Sequence, residues 1–181
     1  MVQLVGPGGA GKTTIGAALA ERLGVPFVDL DAAFTARYGD ISTCLASHGY
    51  EAYAEWNVGL YLDLVRGSVS TDVLALSSGF MTYRDHVHPD YLTVRPRIAS
   101  SPSTFVLLPS PDMETCVEET VRRQLRRPFA RSAERERQVI RKRFPVYVEL
   151  RARKIFTMRP VDTVATELVA ALAALEAGAP A

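Results

Sequence analysis

The sequence predicts an α/β protein, a parallel sheet with helices on both faces, and three observations predict it. Apolar runs of strand length recur at residues 2–5, 27–31, 73–76, 104–108 and 154–157. They alternate with stretches of helical periodicity, the pattern of strands joined by crossover helices. The first run enters a glycine-rich turn, Gly6-Pro7-Gly8-Gly9-Ala10-Gly11-Lys12-Thr13, which opens a helix.

That turn fits G-x-x-x-x-G-K-[ST] in its diagnostic context of strand, loop and helix. With glycine at roughly 7% of residues, the four fixed positions coincide by chance in on the order of 1% of chains this long. Glycines let successive backbone N–H groups point inward, and the helix N-terminus adds its positive dipole end. Gly8, Gly9, Ala10, Gly11, Lys12, Thr13 and Thr14 are therefore candidate contacts for ATP. Lys12 can reach the β- and γ-phosphates, and the Thr13 hydroxyl is placed to ligate Mg²⁺.

The remaining elements follow in order. Ile15, Leu19 and Leu23 share a face of the first helix, and Gly24 is a C-terminal stop. Residues 27–31 form a strand ending in Asp29 and Asp31. Helices are expected at 31–37 and 41–47, a break at His48-Gly49, and a longer helix at 50–66 carrying Tyr53, Trp56, Leu60 and Leu64. The apolar run 73–76 enters Ser77-Ser78-Gly79 as a buried parallel strand and its loop. Residues 89–103 hold three prolines and little periodicity, and are expected to be an irregular surface excursion. A helix at 112–124, a basic loop at 125–132, a polar helix at 133–143, a short helix after Pro145 and a closing helix at 161–175 complete the chain, with a frayed tail beyond.

Ligands of such sheets bind at the carboxyl ends of the strands. Gly6, Asp29, Asp31 and Ser77 all fall there. Read as two residues of one strand, Asp29 and Asp31 project to the same side. One can then hold a Mg²⁺-bound water while the other accepts a proton from, or orients, an acceptor hydroxyl. The alternative is a capping Asp31 and a solvent-facing Asp29.

A chain of 181 residues suits one domain, 1–181. Hydrophobic content of 48%, charged content of 23% and a net charge of +1 are those of an ordinary globular protein, with no global pull toward nucleic acid or an acidic membrane. The basic residues are concentrated, however: 14 of the 21 Lys and Arg lie between Arg122 and Arg159, so something anionic is handled there. Cys44 and Cys116 match no metal or redox spacing and read as free buried thiols in a reducing compartment. His86 and His88 read as a surface loop. No leader peptide or spanning segment is visible, and a cytoplasmic location is expected.

The loop 6–13, Pro26-Phe27-Val28-Asp29-Leu30-Asp31, Arg127-Pro128-Phe129, Arg143-Phe144-Pro145-Val146-Tyr147 and Val161-Asp162-Thr163 together resemble shikimate kinase, in that family's order and over nearly the whole chain. The resemblance implies a three-layer α/β/α P-loop kinase fold with a five-stranded parallel sheet and a mobile lid (about 122–135). It implies MgATP-dependent phosphorylation of the 3-hydroxyl of shikimate, a small-molecule substrate; separately, a monomer is expected. By resemblance Asp31 orients the substrate or acts as a base, and Asp29 lies behind the Mg²⁺. Arg127 is the lid arginine that reaches the transferring phosphate, Arg143 grips the substrate carboxylate, and Arg123 (or Arg122) stacks on adenine. Tyr53, Ser78 and Gly79 line the substrate site. An incoming guanidinium suits a transferring phosphoryl group, and a bidentate fork suits a carboxylate.

Two positions depart from the family pattern. Aligning Tyr53 with the family's Phe puts Ala54 where an arginine that binds the substrate carboxylate belongs. The family's triple glycine reads Ser77-Ser78-Gly79. Either Arg37 or Arg84 substitutes for the missing arginine, or the acceptor is another polyol, sugar acid or cyclitol. A nucleotide-binding protein without transferase activity is the remaining alternative.

Overall fold

The computed structural model describes residues 1–67, 72–126 and 132–178. Among them, β1 (Val2–Val5), β2 (Phe27–Asp29), β3 (Val73–Ala75), β4 (Thr104–Leu108) and β5 (Arg153–Phe156) form one sheet in the order β2-β3-β1-β4-β5, with every neighbouring pair parallel. The helices are α1 (Lys12–Leu23), α2 (Leu30–Tyr38), α3 (Ile41–Gly67), α4 (Tyr91–Ser100), α5 (Met113–Gln124), α6 (Ala133–Glu149) and α7 (Val161–Glu176).

Alternate strand residues serve opposite faces. Leu4, Val73, Phe105, Leu107 and Ile155 pack with Ile15 and Leu19 of α1 and Val164 and Leu168 of α7. Val5, Leu74, Val106 and Leu108 turn the other way, to Phe34 of α2, Tyr53 and Val58 of α3, Ile98 of α4 and Tyr147 of α6. Both faces are covered, which is why the central strands are apolar without alternation.

Three expectations are corrected. Residues 89–103 are not irregular: α4 runs through Pro96. Tyr91, Val94 and Ile98, one face of that helix, are buried. Burying such side chains is worth about 1.5–3 kcal/mol each, enough together to outweigh the roughly 3 kcal/mol of an interior proline. The Tyr91 hydroxyl also donates to the Phe80 carbonyl. Second, α6 continues through Pro145 to Glu149 instead of restarting after it, held by buried Phe144 and Tyr147. Third, β2 stops at Asp29, and Asp31 lies in the first turn of α2.

The break at Gly49 is real: its φ of 81° is non-helical, so α3 consists of two helices that meet at this kink. Of the expected lid, 122–124 belongs to α5 and 133–135 to α6, while 127–131, with Arg127, lies outside the described residues.

Candidate active site

Gly6 turns the chain sharply out of β1 with φ 149°, and a Cβ there would meet the Leu107 carbonyl oxygen at 2.3 Å. Only glycine fits. The loop that follows delivers Lys12 and Thr13 into the first turn of α1. Lys12 Nζ donates to the carbonyls of Gly6 (2.7 Å) and Pro7 (3.0 Å), so the ammonium lies across the mouth of its own loop. Thr13 Oγ1 donates to Asp29 Oδ2 at 2.6 Å.

Asp29 caps α2: its Oδ1 accepts from the backbone N–H groups of Asp31 (2.9 Å) and Ala32 (3.1 Å). The capping role thus falls to Asp29 and not to Asp31. The side chains do not share a side of one strand, because the chain turns into a helix between them. Both still reach one cleft of about 280 Å³. Gly8, Gly9, Gly11, Lys12 and Thr13 of the loop line it together with Asp29, Asp31, Ser78, Gly79, Tyr50, Tyr53 and Arg143.

Asp31 Oδ1 accepts from the hydroxyls of Ser77 and of Tyr53, the latter at 3.3 Å. Burial, and then the charge of Asp31, push the Tyr53 phenol well above its ordinary range, so it stays a donor. Arg143 donates to Ser78 Oγ and to Tyr50 Oη, both at 3.2 Å. Among the described residues no carboxylate is paired with its guanidinium. A Cβ on Gly79 would stand 2.6 Å from Tyr50 Oη and 3.0 Å from Arg143 Nη2, so glycine is what lets the three meet.

Ala10 is buried under the loop, with its N–H donating to Pro7 (3.3 Å), and Thr14 is exposed on α1; neither side chain lines the cleft. Arg123 sits behind the loop, donating to the Gly9 carbonyl (3.2 Å) and to Thr157 Oγ1 (3.1 Å) and O (3.0 Å). Glu119 braces Arg122 and Arg123, with Nε–Oε distances of 2.7 and 2.6 Å. Hydrogen bonding from Arg122, reinforced by Arg123, holds its carboxyl at about 2 against an ordinary 4.5. A depressed carboxyl stabilises above its unfolded value and loses that contribution as pH falls through the folded one. Glu119→Gln is therefore expected to lower Tm by about 2–4 °C at neutral pH. The deficit closes as pH is taken from 4.5 toward 2, which calorimetric melts across that window would check.

Neither suggested replacement for the missing arginine enters the cleft. Arg37 pairs with Asp63 at 2.8 Å, and Arg84 pairs with Glu51 at 2.5 Å. Ala54, Arg84 and Glu51 line a neighbouring cavity that shares Tyr50 with the cleft. Sequence reasoning also missed Asn57, Tyr50, Gln124 and Glu136. Asn57 is fully buried, and its signal is a lone amide one turn after Tyr53 on an otherwise apolar helix face. Gln124 of α5 and Glu136 of α6 line the cleft, and carry no pattern of their own. Among the described residues there is no cluster of three or more His, Cys, Asp or Glu able to hold a metal, and no helix is long and apolar enough to cross a membrane.

Comparison with known proteins gives a consistent result. The family model described as shikimate kinase matches residues 8–173. The shikimate kinase of Histophilus somni (strain 2336) is 34% identical over 155 residues, covering 81% of this chain and 79% of that protein. The shikimate kinase of Haemophilus influenzae (strain PittEE) is 31% identical over 155 residues, 81% of this chain and 77% of its own. Among solved structures, shikimate kinase from Acinetobacter baumannii in complex with shikimate superposes with a TM-score of 0.74 at 24% identity, over 96% of this chain and 93% of that one.

Proposed function

Because the chain belongs to the shikimate kinase family, we propose that it transfers the γ-phosphate of ATP to a hydroxyl of shikimate. One observation carries the reading. A phosphate loop with Lys12, the Asp31 carboxylate and an Arg143 guanidinium line the same small cleft.

Each residue then has a physical task. Backbone N–H groups of the loop and Lys12 hold the triphosphate. The guanidinium edge of Arg123 is engaged by Gly9, Thr157 and Glu119, which leaves its planar face for the base. Arg143 forms the fork for the acceptor's carboxylate, supported by the hydroxyls of Ser78 and Tyr50. Asp31 accepts the proton of the attacking hydroxyl while oxygen bonds to the γ-phosphorus and ADP leaves. Arg127, which lies outside the described residues, is assigned to the transferring phosphoryl oxygens by the family resemblance.

Thr13 Oγ1 and Asp29 Oδ2 are hard oxygen donors 2.6 Å apart beside the loop, a pair that suits Mg²⁺ held jointly with phosphates. When bound, the ion neutralises charge on the phosphate oxygens. We read the protein as a cytoplasmic monomer; its free thiols, Cys44 and Cys116, are buried, which suits a reducing compartment.

A second reading, transfer to a different small hydroxylated acid, is favoured by Ala54 and by the serine and tyrosine hydroxyls lining the cleft. ADP release measured with shikimate, quinate, gluconate and cyclitols separates the two. Shikimate alone is expected to respond, and a response to another acceptor alone would replace it. In the same assay Arg143→Ala is expected to raise KM for the responding acceptor by about 10²-fold, with KM for ATP unchanged. An unchanged acceptor KM would remove Arg143 from the site.

A further inference from the structure

A buried polar chain ends on Asp31 in the cleft. Tyr83 Oη donates to Asn57 Oδ1 at 3.0 Å, Asn57 Nδ2 donates to Ser77 Oγ at 3.0 Å, and Ser77 Oγ donates to Asp31 Oδ1. Asn57 is 0% exposed, Ser77 2% and Tyr83 5%, so water does not compete for these bonds.

The direction of every bond is forced. A carboxylate only accepts, so the single Ser77 proton goes to Asp31. Ser77 Oγ must then accept, which turns the amide nitrogen of Asn57 toward it and the amide oxygen toward Tyr83. Burial keeps Tyr83 a phenol, and therefore a donor. The sheet register brings the two ends together. Asp29 pairs with Ala75 where β2 and β3 both end, so the first turn of α2 and the segment after β3 start side by side, and Asp31 meets Ser77 there. Asn57 reaches them from α3, one turn after Tyr53, which binds the same carboxylate oxygen.

We infer that Ser77, braced by Asn57 and Tyr83, is a positioning residue for Asp31. The hydroxyls of Ser77 and Tyr53 commit Oδ1 to the protein, fix the rotation of the carboxylate, and leave Oδ2 for the acceptor hydroxyl. A glycine at position 77 has no group that could do this. The inference rests on Asp31 acting on the acceptor as proposed above, and adds what holds it in place.

Steady-state ADP release by the parent, Ser77→Ala, Asn57→Leu and the double variant tests it, with ADP affinity measured by calorimetry on each. Ser77→Ala is expected to lower kcat by about 10- to 100-fold, the scale of a small misplacement of a reacting group, while KM for ATP and ADP affinity stay within about twofold of the parent. Asn57→Leu is expected to lower kcat by a similar factor, and the double variant no further, because the two side chains act as one chain. Ser77→Ala turning over at the parent kcat would overturn the inference. So would losses of kcat and ADP affinity in step, which would mark Ser77 as packing only. A parent with no acceptor-dependent turnover would sink the transferase reading and this inference together, whereas an active parent beside an unaffected Ser77→Ala sinks this one alone.

Discussion

Replacing Lys12 with alanine is expected to reduce kcat/KM for ATP by about 10²- to 10³-fold, the range lost when one group that stabilises transition-state charge is deleted. The ammonium is held by the Gly6 and Pro7 carbonyls at 2.7 and 3.0 Å. Those partners belong to the loop itself, so the charge is positioned at the loop mouth before a triphosphate is engaged. As negative charge builds on the β–γ bridging and γ oxygens, a fixed point charge there stabilises it without needing to be reoriented. The fold should survive. Lys12 is half-buried at the rim, its stem fills no core space, and Leu4, Ile15 and Leu19 beneath it are untouched. Melting by circular dichroism within a few degrees of the parent, with transfer lost, is the expected pair of results. A variant transferring phosphate at the parental rate would remove Lys12 from the mechanism.

How much of this site is legible in the sequence depends on whether local pattern or tertiary neighbours decide a residue's place. The phosphate loop is legible because its geometry is local: Gly6 must adopt φ 149°, and the helix must start at Lys12. The strands are legible because a sheet covered on both faces needs unbroken apolar runs. The region of α4 is misread because its prolines are local signals, while what holds it, Tyr91, Val94 and Ile98 packed beneath, is tertiary. Asp29 and Asp31 are assigned to the right cleft for an incomplete reason. Two-residue periodicity holds only while the strand lasts, and Asp29 ends it by capping α2. Asn57 and Ser77 are recognisable as a pair only once β2 lies beside β3 and α3 crosses above them. The missing arginine at Ala54 is legible as a departure, but not its consequence. Arg37 and Arg84 carry plausible charge, yet their ion pairs with Asp63 and Glu51 hold them elsewhere.

Asp31→Asn is expected to lower kcat by about 10²- to 10⁴-fold, the usual worth of a positioned general base, with ATP binding and the fold retained. The surroundings of the carboxylate decide how the amide sits. Ser77 and Tyr53 both present donors to Oδ1, so the amide oxygen takes that place and satisfies the same two bonds. The NH₂ group is then left facing the acceptor hydroxyl. It can donate to that oxygen but cannot receive its proton, so the substituted side chain keeps the hydroxyl in place while removing the proton's destination. That predicts a fall in kcat with only a modest change in acceptor KM, a separation that Asp31→Ala should not show, because it also abandons the Ser77 and Tyr53 hydroxyls in a buried setting. Initial rates at saturating ATP across a range of acceptor concentrations measure the split. Asp31→Asn phosphorylating the acceptor at the parental kcat would show that the proton leaves by another route, and the assignment of Asp31 as its destination would fall.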